Sequence, residues 1–253
     1  MRDALKPIWK AKHATAKKAF NRTRIIFKSA RLMGYDCDPF TVEAAKEMLG
    51  AVHYEPEHMA ALPWQEVPAL YAELAQREHA VSALALRWSI LTVVRAMAVR
   101  GARHDEIDGD VWTVPADRIK GARGKVKDFR VPLSSEAMLI AEKAAQFPGP
   151  MLFPGRNAGT VSDVAMNKML RSIRPGVTVH GLRTTFRTWV QETDSCSYEV
   201  SETILGHTIG SAVERAYARS DLLDRRRVAM EAWARYVTGA EANVIPISAA
   251  GQN

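Results

Sequence analysis

Cysteine is nearly absent from this chain: Cys37 and Cys196 are the two in 253 residues, far apart and without Cys-x-x-Cys or Cys/His ligand spacing. That excludes a disulfide framework and leaves no zinc-binding pattern. No apolar run approaches the ~18 residues a membrane span needs. The opening MRDALKPIWKAKHATAKK is basic but has no apolar core behind its charges, so neither a membrane anchor nor a secretory signal is read. A cytoplasmic protein with no membrane partner is the expectation. Carboxylates form no obvious cluster, and there is no internal repeat or low-complexity block.

What the chain has in excess is positive charge. Lys+Arg number 35 against 28 Asp+Glu, a net +7, and such a balance favours anionic partners, nucleic acid among them. With 47% hydrophobic residues, the length suits one good core and a smaller companion unit.

Helical periodicity comes first. From Ala11 to Leu32 the apolar residues Ala16, Phe20, Phe27 and Ala30 recur near helical spacing, with Lys17, Arg24 and Lys28 largely on other faces, which reads as a basic amphipathic helix. GYDCDP breaks it, TVEAAKEMLG forms a second helix ending at Gly50, and AVHYEPEHMAALP reads as a linker. Beyond it, PWQEVPALYAELAQRE and AVSALALRWSILTVVRAMAVRG read as two helices, the second apolar on most faces and so placed through the core. DVWTVP and DFRVPLS alternate as strands around the Lys-rich RIKGARGKVK, a hairpin or small antiparallel sheet. SSEAMLIAEKAAQ, TVSDVAMNKMLRSI, HGLRTTFRTWVQE and SAVERAYARSDLLDRRRVAMEAWARYV complete the set of helices. The last carries a capping box, Ser211 with Glu214. The whole is a mainly α protein with a small antiparallel β-sheet, an α+β arrangement.

Three separated segments then present basic side chains. Arg95 follows the apolar run SILTVV. His180 and Arg183 stand three apart at a helix start and can face the same way, and in that helix Leu182, Phe186, Trp189 and Val190 form the apolar stripe, leaving Arg183 and Arg187 on another side. Read alone, each arginine is a solvated surface charge. The ordered series Arg95, Lys120, His180-x-x-Arg183, Leu205-Gly206-His207 and Tyr217, with phrases such as WTVPADRIK, LFPGR and HGLRTTFRTW, resembles the tyrosine recombinase family, specifically the phage and genomic-island integrases. The likeness runs from Leu62 to Val237.

The resemblance implies a fold and a chemistry. It implies a partial helical core-binding domain over 1–55, a linker over 56–61, a catalytic domain over 62–237 and a tail over 238–253. Tyr217 would be the nucleophile that attacks a DNA phosphodiester and forms a 3′-phosphotyrosyl link. Arg95 and Arg183 would hold the charged phosphate with paired hydrogen bonds, His180 would assist proton transfer, and His207 would bond a phosphate oxygen. Lys120 holds the general-acid position, although Lys125 and Lys127 share its segment and could substitute or bind phosphates. With the arginines supplying charge stabilisation, neither metal nor cofactor is called for. The implied partners are double-stranded DNA at attachment sites, three further copies in a homotetramer on DNA, and accessory DNA-bending proteins. Lys17, Arg24, Lys28, Lys125, Lys127 and Arg187 are the candidate DNA contacts.

The chain departs from the pattern in two places. The glutamate usual three residues after the first arginine is Ala98 here, and His104 stands where a tryptophan is common. Met1 also enters partway through the core-binding domain, which implies an N-terminally truncated integrase; a DNA-binding remnant with weak or no recombination is the alternative. In the tail, NVIPI could dock on a neighbour as an added strand or simply fray.

Overall fold

The computed structural model describes residues 1–54, 60–121, 126–156, 159–210 and 220–240. The chain divides into two compact units, Met1–His58 and Met59–Asn253.

The first unit packs three helices, α1 (Arg2–Trp9), α2 (His13–Leu32) and α3 (Phe40–Leu49). The core is small: Leu5, Trp9, Ala16, Phe20 and Val42. The Trp9 indole N–H donates to the Gly50 carbonyl at 2.9 Å, tying the end of α1 to the residue that stops α3. Ala16 and Phe20 of α2 face this core while Lys17, Arg24 and Lys28 stay exposed, as the helical spacing requires. The expected basic helix begins two residues later than read, and α1 was not anticipated.

In the second unit, α4 (Val67–Ala75), α5 (Val81–Thr92) and α6 (Ala96–Arg100) precede a three-stranded sheet. Strands β1 (Ile107–Asp108), β2 (Val111–Val114) and β3 (Phe129–Pro132) pair antiparallel in that order, with Trp112 opposite Val131 and Val114 opposite Phe129. Then follow α7 (Ser135–Ala144), α8 (Asp163–Ile173), α9 (Gly181–Thr193), α10 (Tyr198–Ile204) and α11 (Leu223–Thr238). Ser134, Ser162 and Ser197 cap α7, α8 and α10, each side-chain oxygen accepting from a backbone N–H three residues on.

Helix α5 is the axis of the core. Every residue from Ala83 to Thr92 is buried, and α4, α6, α7, α8 and α11 all pack against it. A helix apolar on most faces has no other stable place. Trp88 meets Trp112 of β2 edge-on at 5.4 Å and Phe153 at 6.0 Å, so the sheet is locked to the helices by aromatic contacts. Cutting Trp88 to alanine would cost about 3–5 kcal/mol. From the other side, the buried Trp233 of α11 donates its indole N–H to the Ile90 carbonyl at 2.8 Å.

Two expected helices are interrupted. The stretch read as one helix through AVSALALRWSILTVVRAMAVRG stops at Thr92, turns at Val93 with φ 58°, and restarts at Ala96 after Arg95. The stretch read as one helix from Ser211 cannot be continuous either: Ser220 to Leu222 are not helical, Leu222 has φ 56°, and α11 begins at Leu223. The capping box of Ser211 and Glu214, the NVIPI tail and most of the linker lie outside the described residues. Among those described, no helix is long and apolar enough to cross a membrane.

Candidate active site

The break after α5 creates the site. Val93 takes a left-handed backbone that costs a β-branched residue on the order of 1–3 kcal/mol, and the turn exposes its carbonyl. The Arg183 guanidinium donates to that carbonyl and, at 2.5 Å, to the carbonyl of Leu205 at the end of α10. One side chain thereby ties the first turn of α9 to two other elements. Only 6% of Arg183 remains exposed, so the expectation that it lies on a solvated face of α9 is overturned: the break and the end of α10 close over the side that the helical stripe leaves open.

Arg95, the cap residue of α6, reaches the same place from the other side of the turn, its guanidinium 3.5 Å from the Gly206 carbonyl. Burial, and then the neighbouring Arg95 charge, push Arg183 down to about 10, while Glu202 opposes them. It therefore stays cationic at neutral pH. Two guanidinium groups held together in a partly dry site have strong reason to bind an anion. Gly206 has φ 60°, a conformation glycine adopts without strain, and an added Cβ would sit 3.6 Å from the Arg95 guanidinium.

His180 caps α9 without using its side chain, since the Gly181 N–H is satisfied by the Thr178 hydroxyl at 3.0 Å. A Cβ on Gly181 would stand 2.3 Å from the Ala60 carbonyl, so the helix start is pressed against the chain there. Burial lowers the His180 pKa, and the charges of Arg183, Arg95, His207 and Lys120 lower it further. The ring is neutral at pH 7 and can accept a proton.

A cleft of about 480 Å³ gathers Arg95, Lys120, Lys127, Arg183 and His207 along its walls, with Phe129 and the buried Ala98 among its apolar lining. Lys120 and Lys127 are exposed on the β2–β3 connection. His180 lines an adjoining cavity of about 760 Å³ with Ala96, next in sequence to Arg95, and with Lys168 and Arg171 of α8. These last two, both in the stretch read simply as a helix, were missed as candidate anion contacts.

A further residue was missed. Glu202, on α10, is 6% exposed, and one of its carboxylate oxygens lies 2.8 Å from His207 Nδ1. Its other oxygen lies 3.3 Å from the guanidinium of Arg187, the expected DNA contact, whose side chain remains 41% exposed. The sequence held one signal: the second carboxylate of EVSETILG stands five residues before His207.

Tyr217 and Lys125 lie outside the described residues. Asp221, four residues past Tyr217, accepts two hydrogen bonds from Arg130 of β3, each 2.9 Å, and pairs with the buried Arg226 at 3.4 Å. Arg226 also stands over the Phe129 ring at 5.1 Å. Its neighbours in the arginine triplet go elsewhere, Arg225 to Ser197 and Arg227 to Asp110. Lys17, Arg24 and Lys28 belong to the first unit.

No family model matches the chain. It is 34% identical over 248 residues to the integrase of Enterobacteria phage P4, an alignment covering 89% of this chain and 55% of that protein. The chain thus spans about half the length of the curated relatives it matches. Solved integrase structures share its fold. The Tn1549 transposon integrase in complex with circular intermediate DNA matches with TM-score 0.60 and 15% identity, over 91% of this chain and 83% of that one. A lambda integrase tetramer bound to a Holliday junction matches with TM-score 0.59 and 15% identity, over 79% and 60%. The chain belongs to the tyrosine recombinase family, among the integrases.

Proposed function

We propose that the protein is a site-specific DNA recombinase that cleaves and rejoins strands through a 3′-phosphotyrosyl intermediate. The observation that carries this reading is the convergence of Arg95, Lys120, Arg183 and His207 on one cleft, with the neutral His180 beside it. The Tyr217 oxygen attacks phosphorus, its proton passing to His180, while the bond from phosphorus to the 5′ oxygen breaks. That oxygen takes a proton from Lys120 and leaves as a 5′-hydroxyl. The bond count is conserved, so a second 5′-hydroxyl can reverse the step on a new strand.

Arg95 and Arg183 stabilise the charge that develops on the non-bridging oxygens, the part a metal ion plays in other phosphoryl transfers. Removing one such preorganised donor costs about 10²–10³ in rate. A tyrosine hydroxyl, with a reference pKa of ~10, needs this concentration of positive charge to react at neutral pH. Lys120 is favoured over Lys127 as the acid because its charge is among those felt by His180.

The partners that follow are duplex DNA at attachment sites, three more copies of the chain in a tetramer on DNA, and accessory DNA-bending proteins, all in the cytoplasm. The first unit serves as a DNA clamp through Lys17, Arg24 and Lys28, whose exposure suits phosphate contacts. Covalent capture tests the reading. Nicked duplexes from the flanks of the gene are incubated with the protein, denatured and examined for protein carrying DNA. An adduct lost in Tyr217→Phe with DNA binding retained supports it. Binding without any adduct in the unaltered protein favours the DNA-binding remnant, and an adduct that survives in Tyr217→Phe removes the nucleophile assignment.

A further inference from the structure

We infer that Glu202 is a positioning residue of this centre, fixing the His207 ring with Nδ1 protonated and turned inward so that Nε2 is the nitrogen offered to the cleft. Four observations meet on this carboxylate. It is 6% exposed, on a helix whose neighbouring Val200, Ser201, Ile204 and Leu205 are buried too. One oxygen lies 2.8 Å from His207 Nδ1. The other faces the Arg187 guanidinium at 3.3 Å. The Glu202 backbone carbonyl accepts from the His207 backbone N–H at 2.9 Å, so the same residue grips the histidine at main chain and side chain.

Burying a carboxylate is costly unless it is paired, and nothing in the packing of α10 calls for one. An apolar side chain at this position would suit the surrounding core. The carboxylate is therefore accounted for by the His207 ring at one oxygen and by the Arg187 charge 3.3 Å from the other, which makes no hydrogen bond among the described residues. An ionised carboxylate can only accept hydrogen bonds, so the bond to Nδ1 assigns the proton to that atom. Carboxylate–histidine pairs of this kind set both the tautomer and the plane of a ring whose second nitrogen does the work. Arg187, on α9 one turn from Arg183, places its charge beside the second oxygen. His207 lines the cleft with Arg95, Lys120 and Arg183, and with Ala98 in its wall no carboxylate reaches it from that position of α6 to perform this task instead.

The step from ring orientation to rate rests on the recombinase reading; the orientation itself does not. Nitrogen-15 spectra of histidine-labelled protein at pH 8, where histidine is ordinarily neutral, report which ring nitrogen carries the proton. Expected is His207 protonated on Nδ1 in the unaltered protein and in Glu202→Gln, whose amide oxygen still accepts, and averaged between tautomers in Glu202→Ala. In single-turnover capture with saturating nicked DNA, Glu202→Ala should slow adduct formation about 10- to 100-fold, the range for residues that orient a functional histidine. The DNA concentration for half-maximal rate should not move, Glu202→Gln should recover most of the loss, and in a His207→Ala background Glu202→Ala should add nothing. A His207 proton on Nε2 in the unaltered protein would overturn the inference, as would identical His207 signals with and without the carboxylate, or an equal slowing when His207 is already gone. If the unaltered protein forms no adduct at all, the recombinase reading falls and the spectra still decide the role of Glu202. If Glu202→Ala does not fold, the tautomer of the unaltered protein decides it.

Discussion

The cleft and helix α2 are both rich in positive charge, yet the charges are held in opposite ways. On α2, Lys17, Arg24 and Lys28 stand in solvent, and Arg24 pairs with Glu43 at 3.7 Å. In the cleft, Arg183 is locked by two backbone carbonyls and set against Arg95 in a site that burial has partly dried. Solvated charges attract a polyanion from a distance and let it slide. Charges held by main-chain carbonyls cannot follow the ligand, so they stabilise one geometry of it. Composition counts both sets alike, which is why a net charge speaks to binding and says nothing about chemistry.

The sharpest way to break this contrast is to make the cleft behave like the helix. Arg183→Ala removes a preorganised donor and leaves the Val93 and Leu205 carbonyls with a buried partner missing, at about 1–3 kcal/mol each. Adduct formation should fall by about 10²–10³ or more, and thermal melting should show a lower midpoint. Arg183→Lys keeps the charge and loses the fork, so it should recover stability better than rate. A lysine variant as active as the unaltered protein would mean that charge alone suffices in the cleft, and the contrast would dissolve.

Arg226 offers a control, a second buried arginine away from the cleft wall. Burial pushes it down to about 10, with Asp221 opposing. Arg226→Met keeps much of the contact with Phe129, and Asp221 retains Arg130, so the loss should be about 1–2 kcal/mol in chemical denaturation. A larger loss, with slow adduct formation, would show that this anchor, five residues beyond Asp221, also governs the tyrosine-bearing segment.

Much of this arrangement was open to reading in the sequence, and the exceptions share a cause. Helices α2, α3, α7, α8 and α9 and strands β2 and β3 follow from apolar spacing and turn residues, which are local signals. The break at Val93 is not local. Nothing in ILTVVRAM forbids a continuous helix; what holds the turn is the Arg183 guanidinium, ninety residues away in sequence. Glu202 is missed for a related reason: His207 is only five residues on, but the burial of the carboxylate and the approach of Arg187 from α9 arise only in the folded chain. The fate of the arginine triplet is a third case. A run of three like charges reads as a solvated or DNA-facing patch, whereas Arg225, Arg226 and Arg227 fan out around α11 to three different acceptors. Order along the chain was the one sequence feature able to assemble Arg95, Lys120, His180, Arg183 and His207 in advance.

On the α2 side, the triple change Lys17→Ala, Arg24→Ala, Lys28→Ala should weaken DNA binding at physiological salt and flatten the dependence of log K on log salt by up to about 0.9 for each phosphate contact removed. At saturating DNA and low salt the adduct rate should hardly change. A rate that falls as steeply as for Arg183→Ala would place these charges in the chemistry and erase the distinction between steering and holding.

The smallest effect expected concerns pH. His180 is lowered below its ordinary value by burial first and by Arg183, Arg95, His207 and Lys120 after it. In the unfolded chain the ring binds its proton near the ordinary pKa of ~6.5. Between that value and the lower folded one the unfolded state holds more protons, so stability rises with pH through this window and is lost as pH falls across it. His180 is largely exposed, and solvent screening keeps the change small. Melting midpoints from pH 5 to 7.5 should climb slightly less in His180→Gln than in the unaltered protein. Adduct formation should respond more strongly, since a ring that must accept the tyrosine proton is disabled once protonated: the rate should drop on the acid side of the ordinary histidine value in the unaltered protein, and His180→Gln should be slow with that limb of the profile removed. An unchanged acidic limb in His180→Gln would transfer the proton-accepting role to another group in the cleft, with His207 the nearest alternative.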